Sequence, residues 1–94
     1  MKDLSIIQEV YDVILDRREN PKEGSYVCSL LKDEDRILEK VSEESGELIL
    51  AAKSGNKDEI VHESADLIFH TLVLMASNDV SLEDLSNELK KRRK

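Results

Sequence analysis

The stretch IVHESADLIFHTLVLM, residues 60 to 75, decides how the chain is read. It spans about four turns of helix and is apolar enough to be buried, yet it carries Glu63, Asp66 and His70. Turned at about 100° per residue from Ile60, the side chains of Ile60, Val61, Leu67, Ile68, Phe69, Leu72, Val73, Leu74 and Met75 cover nearly every direction. A helix apolar all round is a buried helix. Glu63, Asp66 and His70 fall at about 300°, 240° and 280°, with Glu59 at about 260°. The charged groups are confined to one line along an otherwise buried rod.

Taken alone, that line reads equally well as the solvent face of an amphipathic helix. The segment before it changes the weighing. Residues 34 to 54 form a long helix closed by Gly55, a residue suited to a C-terminal cap. Measured from Ile37, the residues Val41, Leu48, Ala51 and Ala52 make an apolar stripe, and Glu44 falls inside it at about 340°. Lys40 and Glu47 lie along one edge, at about 300° and 280°. A turn at Gly55 makes the two helices antiparallel neighbours, and such a hairpin can bring Glu44, Glu47, Glu63 and Asp66 together.

Four carboxylates that close repel one another by up to about 4 kcal/mol per pair at 4 Å and an effective dielectric near 20. Something positive must offset this. Hard, anionic oxygen ligands suit Mg²⁺ or Mn²⁺, which keep several waters and accept phosphate oxygens from a substrate. Zinc would recruit more nitrogen or sulfur, and neither His62 nor Cys28 has a metal-like spacing to a second such ligand. A di-iron bundle wants Glu-x-x-His on two helices, whereas Glu63 is followed at the third position by Asp66.

The rest of the chain supplies further helices. Residues 3 to 19 form an amphipathic first helix through Leu4, Ile7, Val10, Ile14 and Leu15, broken by Pro21 and Gly24. Ser25 caps a short second helix over 26–33, with Val27, Leu30 and Leu31 as its apolar contacts. Asn56 and Glu59 have the spacing of a capping box for the helix that runs to Ala76. Ser81 and Asp84 start a last helix over 82–91. No segment alternates with period two long enough for a strand. The fold class is all-α: a small antiparallel bundle of four to five helices, completed by dimerisation.

With 94 residues, one Phe, two Tyr and no Trp, the chain is a single domain over 1–94 whose core is Leu, Ile, Val and Ala. A domain of this size buries only about 60 to 65% of its unfolded surface, so a partner chain would help. The net charge of -7, from 14 basic and 21 acidic residues, argues against a nucleic-acid partner. The basic end KKRRK, 90–94, reads as a cationic helix terminus that complements the macrodipole and then frays. Lone Cys28, no signal peptide and no run of 18 apolar residues point to a reducing cytoplasm and no membrane.

The spacing Glu44-x-x-Glu47, then fifteen residues, then Glu63-x-x-Asp66 resembles the signature of the all-α nucleoside triphosphate pyrophosphatases. The blocks SYVCSLL, ILEKVSEESGELILAAK, EIVHESADLIFHTLVLM and VSLEDLSNEL, over about residues 25 to 90, narrow the resemblance to the phosphoribosyl-ATP pyrophosphatase family of histidine biosynthesis. That resemblance implies Mg²⁺, or alternatively Mn²⁺, held by Glu44, Glu47, Glu63 and Asp66, with Glu43 as a neighbouring acid. It implies hydrolysis of phosphoribosyl-ATP to phosphoribosyl-AMP and pyrophosphate, with Glu44 or Glu47 as the catalytic carboxylate that orients or deprotonates water. Lys40 matches a family lysine and is a candidate for substrate phosphate. His70 matches the family histidine, for which a hydrogen bond to a carboxylate is the structural alternative. Arg17, Arg36, Ser25 and Tyr26 are further substrate candidates, and a homodimer is implied.

Ser42 and Gly46 depart from the other small residues usual in relatives. A mid-helix glycine costs about 1 kcal/mol against alanine. Two other functions fit the same four acids: a house-cleaning enzyme acting on dCTP or aberrant nucleotides, and a non-enzymatic acidic helical module that binds a protein partner.

Overall fold

The computed structural model describes residues 3–93. Five helices follow one another: α1 Ser5–Glu19, α2 Tyr26–Leu31, α3 Glu34–Ser54, α4 Lys57–Ser77 and α5 Leu82–Lys91. Among the described residues there is no strand, so the all-α reading holds.

The helix ends follow local chemistry. Ser25, Asp33, Asn56 and Ser81 each accept a hydrogen bond from the backbone N–H three residues on, which satisfies one orphan donor per helix. Only Ser81 and Asp84 complete the reciprocal capping box. At α4 the expected box is half made, because Glu59 turns aside and accepts from the Ser54 hydroxyl at 3.1 Å. The second helix is also shorter than the expected 26–33. Asp33 leaves helical geometry to cap α3, and α2 ends at Leu31. Gly55, at φ 74°, sits in the left-handed region where the α3 C-terminus turns back into α4.

The hairpin of α3 and α4 is the main body of the fold, and α1 and α2 pack across it. Tyr11, Ile14, Leu30, Ile37, Leu72, Val73 and Ala76 make the buried cluster. Fully burying a side chain such as Ile37 contributes about 1.5 to 3 kcal/mol. Tyr11 joins this core although the helical spacing did not single it out, and its hydroxyl is satisfied by donating to the Val80 carbonyl. Leu4, expected on the core side of α1, is instead 72% exposed. Arg18 ties α1 to the end of α4, donating to the Ala76 carbonyl at 2.6 Å and to Asp79 at 2.8 Å. Those donors satisfy groups left open where α4 stops.

Two expectations are corrected within the hairpin. Ala52, placed on the apolar stripe of α3, is exposed, while Ile37, Glu44 and Ala51 are buried. And α4 is not enclosed on all sides: Val61 and Ile68 are 59% and 50% exposed. The packing of α1, α2 and α3 against it leaves these faces open. At the far end, Lys90 and Lys91 close α5, Arg92 is its C-cap, and the Arg93 N–H donates back to the Lys90 carbonyl. Lys94 lies outside the described residues.

Candidate metal centre

Glu44 faces inward from α3 as its wheel position requires, and it is 5% exposed. Glu47 stands one turn on, toward the open side of the hairpin, and Glu63 meets the pair from α4. Ligand atoms of Glu44, Glu47 and Glu63 all lie within 4.8 Å of one another. Asp66 does not join that trio. It groups instead with Glu63 and His62, again within 4.8 Å. The four acids and His62 therefore form two triads that share Glu63, not one cluster. His62 is the member that sequence reasoning missed. Its Nε2 lies 3.4 Å from Asp66 Oδ2 and 4.0 Å from Glu63 Oε1. The signal was its spacing of four residues to Asp66, which places both on one helix face.

Two carboxylate oxygens stand out. Glu44 Oε2 and Glu63 Oε2 are buried and have no hydrogen-bond partner within the protein. A buried acceptor without a donor is costly, and two facing each other add repulsion. The electrostatics record the strain unevenly. Burial, reinforced by the hydrogen bond and charge of Glu47, raises Glu63 to about 6. Burial also pushes Glu44 upward, but the hydrogen bond and charge of Lys40 outweigh it and hold Glu44 below its usual range. Lys40 sits 3.2 Å from Glu43 and 3.3 Å from Glu44, and these two partners raise its own pKa. One cation thus serves an acid-rich region, and it is committed to Glu43 and Glu44 rather than to Glu63.

The remaining sequence candidates divide. His70 is buried, with Nδ1 at 2.8 Å from the Asp66 main-chain carbonyl and Nε2 at 2.9 Å from the Tyr26 hydroxyl. The structural alternative for His70 named a carboxylate partner; the partners are a carbonyl and a phenol. Ser25 spends its hydroxyl capping α2. Arg17 pairs with its neighbour Asp16 at 3.0 Å, and Arg36 stands 4.0 Å from Glu39. These local pairings do not tie either arginine to the acids.

All-oxygen donors, two of them buried and unsatisfied, match a hard divalent cation better than a soft one. The same donor set leaves the solvent-face reading of α4 without support, because that face turns Glu63 and His70 toward α3 and α2.

A family model described as phosphoribosyl-ATP pyrophosphohydrolase matches residues 7–93. The chain belongs to the phosphoribosyl-ATP pyrophosphohydrolase family. Among relatives, the phosphoribosyl-ATP pyrophosphatase of Methanococcoides burtonii is 54% identical over 94 residues, covering 97% of this chain and 95% of its own. That of Methanosarcina acetivorans is 57% identical over 93 residues, covering 96% and 89%. The protein of the same name from Clostridium novyi is 53% identical over 95 aligned positions, covering 100% and 86%. The resemblance carried by residues 25 to 90 thus extends along nearly the whole chain.

Proposed function

We propose that the protein is a phosphoribosyl-ATP pyrophosphatase of histidine biosynthesis, hydrolysing phosphoribosyl-ATP with one water to phosphoribosyl-AMP and pyrophosphate. The observation that carries the site is the pair of buried, unpartnered oxygens, Glu44 Oε2 and Glu63 Oε2, converging with Glu47. Their chemistry fits Mg²⁺, with Mn²⁺ as substitute, held by Glu44, Glu47 and Glu63 and by Asp66 on the outer side. When bound, such an ion neutralises triphosphate charge and makes a nearby water more acidic.

The protein's own groups divide the remaining work. Glu44 is a poor base, since Lys40 holds it ionised and its burial leaves little room for water. Glu47 is exposed at the edge of the cluster, which suits it to orient the attacking water and take its proton. Lys40 keeps Glu44 ionised and lies only 20% exposed beside Glu43; an incoming phosphate competes with Glu43 for its ammonium. Arg17, Arg36 and Ser25 remain candidates for the substrate's outer parts through their exposed or half-buried positions.

The working form is a homodimer, supported by apolar surface that the single chain leaves open. Ile49 and Leu50 on α3 are 58% and 68% exposed, alongside Val61 and Ile68 on α4. A groove lined by Ile6, Val10, Ala65, Ile68 and Phe69 continues that surface between α1 and α4. Among the described residues no helix is long and apolar enough to cross a membrane. Buried, unpaired Cys28 is at home in the reducing cytoplasm.

Substrate choice is tested by following pyrophosphate release with Mg²⁺ from phosphoribosyl-ATP, ATP and dCTP in parallel. Strong preference for phosphoribosyl-ATP is the expected outcome. Preference for dCTP would assign the chain a house-cleaning role instead.

A further inference from the structure

The family resemblance makes Tyr26 and His70 candidates for the substrate. Their contacts point elsewhere. The Asp66 main-chain carbonyl can only accept, so the Nδ1 of His70, 2.8 Å away, must carry the proton. In the neutral ring Nε2 is then an acceptor, and the Tyr26 hydroxyl donates to it at 2.9 Å. The ring is 5% exposed and is gripped edge-on by Tyr26 and Phe69, at centroid distances of 5.9 and 5.2 Å and angles of 86° and 90°. Both nitrogens are committed, and neither is free for a ligand.

We propose that Tyr26 is a positioning residue: from α2 it fixes the tautomer and plane of His70, and His70 in turn holds the α4 turn that carries Glu63 and Asp66 against Glu44 of α3. The route is short. His70 bonds the carbonyl of Asp66 itself, one turn before it on α4. The short helix α2 has no other side-chain hydrogen bond to α4 among the described residues, so the phenol is the polar tie between the two. A ligand held this way loses less freedom when a metal arrives, which is how outer hydrogen bonds tune metal affinity.

The catalytic arm of the test rests on the pyrophosphatase reading; two other arms do not. Long-range proton–nitrogen spectra of ¹⁵N-labelled protein report which ring nitrogen of His70 carries hydrogen, and the expected answer is Nδ1. Manganese binding followed by electron paramagnetic resonance should weaken by about three- to tenfold in Tyr26→Phe, the usual range for losing one hydrogen bond. In turnover of phosphoribosyl-ATP, kcat should fall by a similar factor with KM held to within about twofold. His70→Asn, which keeps a donor near Nδ1 and loses the Tyr26 contact, should make a subsequent Tyr26→Phe change silent. A proton on Nε2, or unchanged manganese affinity in Tyr26→Phe, overturns the proposal. So does a raised KM with constant kcat, which would return Tyr26 to the substrate. Wild-type protein inactive on phosphoribosyl-ATP would sink the pyrophosphatase reading alone, since the spectroscopic and manganese arms still decide the role of Tyr26.

Discussion

Metal binding should release a proton, and Glu63 is the group that supplies it. Its carboxyl is raised from the usual 4.5 to about 6, through burial and through Glu47. In the metal-free fold the protonated form is favoured, so Glu63 supports the fold fully below the ordinary glutamate range and this support is lost as pH rises through about 6. A cation needs the ionised form. At pH 5 a group titrating at about 6 is ionised in about one molecule in ten, against about three in four for an ordinary glutamate. The dissociation constant for Mn²⁺ should therefore rise about tenfold from pH 7 to pH 5, with about one proton released per ion at the lower pH. Calorimetry in buffers of different ionisation enthalpy measures both quantities. The titration is run in a His62→Ala background, which removes the imidazole beside Glu63. A change of less than about twofold would refute the reasoning, because it would mean that Glu63 is ionised already and is not crowded by Glu47.

Three further outcomes test other parts of the structure. Gly46 lies within α3, and a Cβ there meets nothing within 4 Å, so Gly46→Ala should stabilise the protein by about 1 kcal/mol and raise Tm by about 4 to 8 °C in thermal melts. Ile37 is fully buried, and Ile37→Ala should lower unfolding free energy by about 2 to 5 kcal/mol in urea titrations. Ile68→Glu places a charge on the open face of α4, and it should convert the proposed dimer to monomer in analytical ultracentrifugation with little loss of helicity; a persisting dimer would move the interface elsewhere.

The fold was largely legible because helices announce their ends and faces. Ser25, Asn56, Ser81 and Gly55 mark boundaries through side-chain oxygens and a left-handed turn, and these signals are local. Glu44 was also legible, because a wheel shows an acid on an apolar stripe without any knowledge of its neighbours. The misplacements share a different cause. Exposure of Val61 and Ile68, burial of Tyr11, and the division of the four acids between two groups all depend on which helix lies against which. Periodicity gives the faces of each rod and says nothing of how completely other rods cover them. The contact between Tyr26 and His70 was not legible for the same reason. Their bond joins residues 44 positions apart, and no spacing rule links a phenol on α2 to an imidazole on α4.

The most direct test of the central claim is pyrophosphate release from phosphoribosyl-ATP, measured with Mg²⁺, with the metal chelated, and in Glu44→Gln. The account predicts turnover that requires the metal and falls at least about a hundredfold in Glu44→Gln, the scale of losing one electrostatic group in a catalytic centre. Turnover that survives chelation, or that is undiminished in Glu44→Gln, would contradict it.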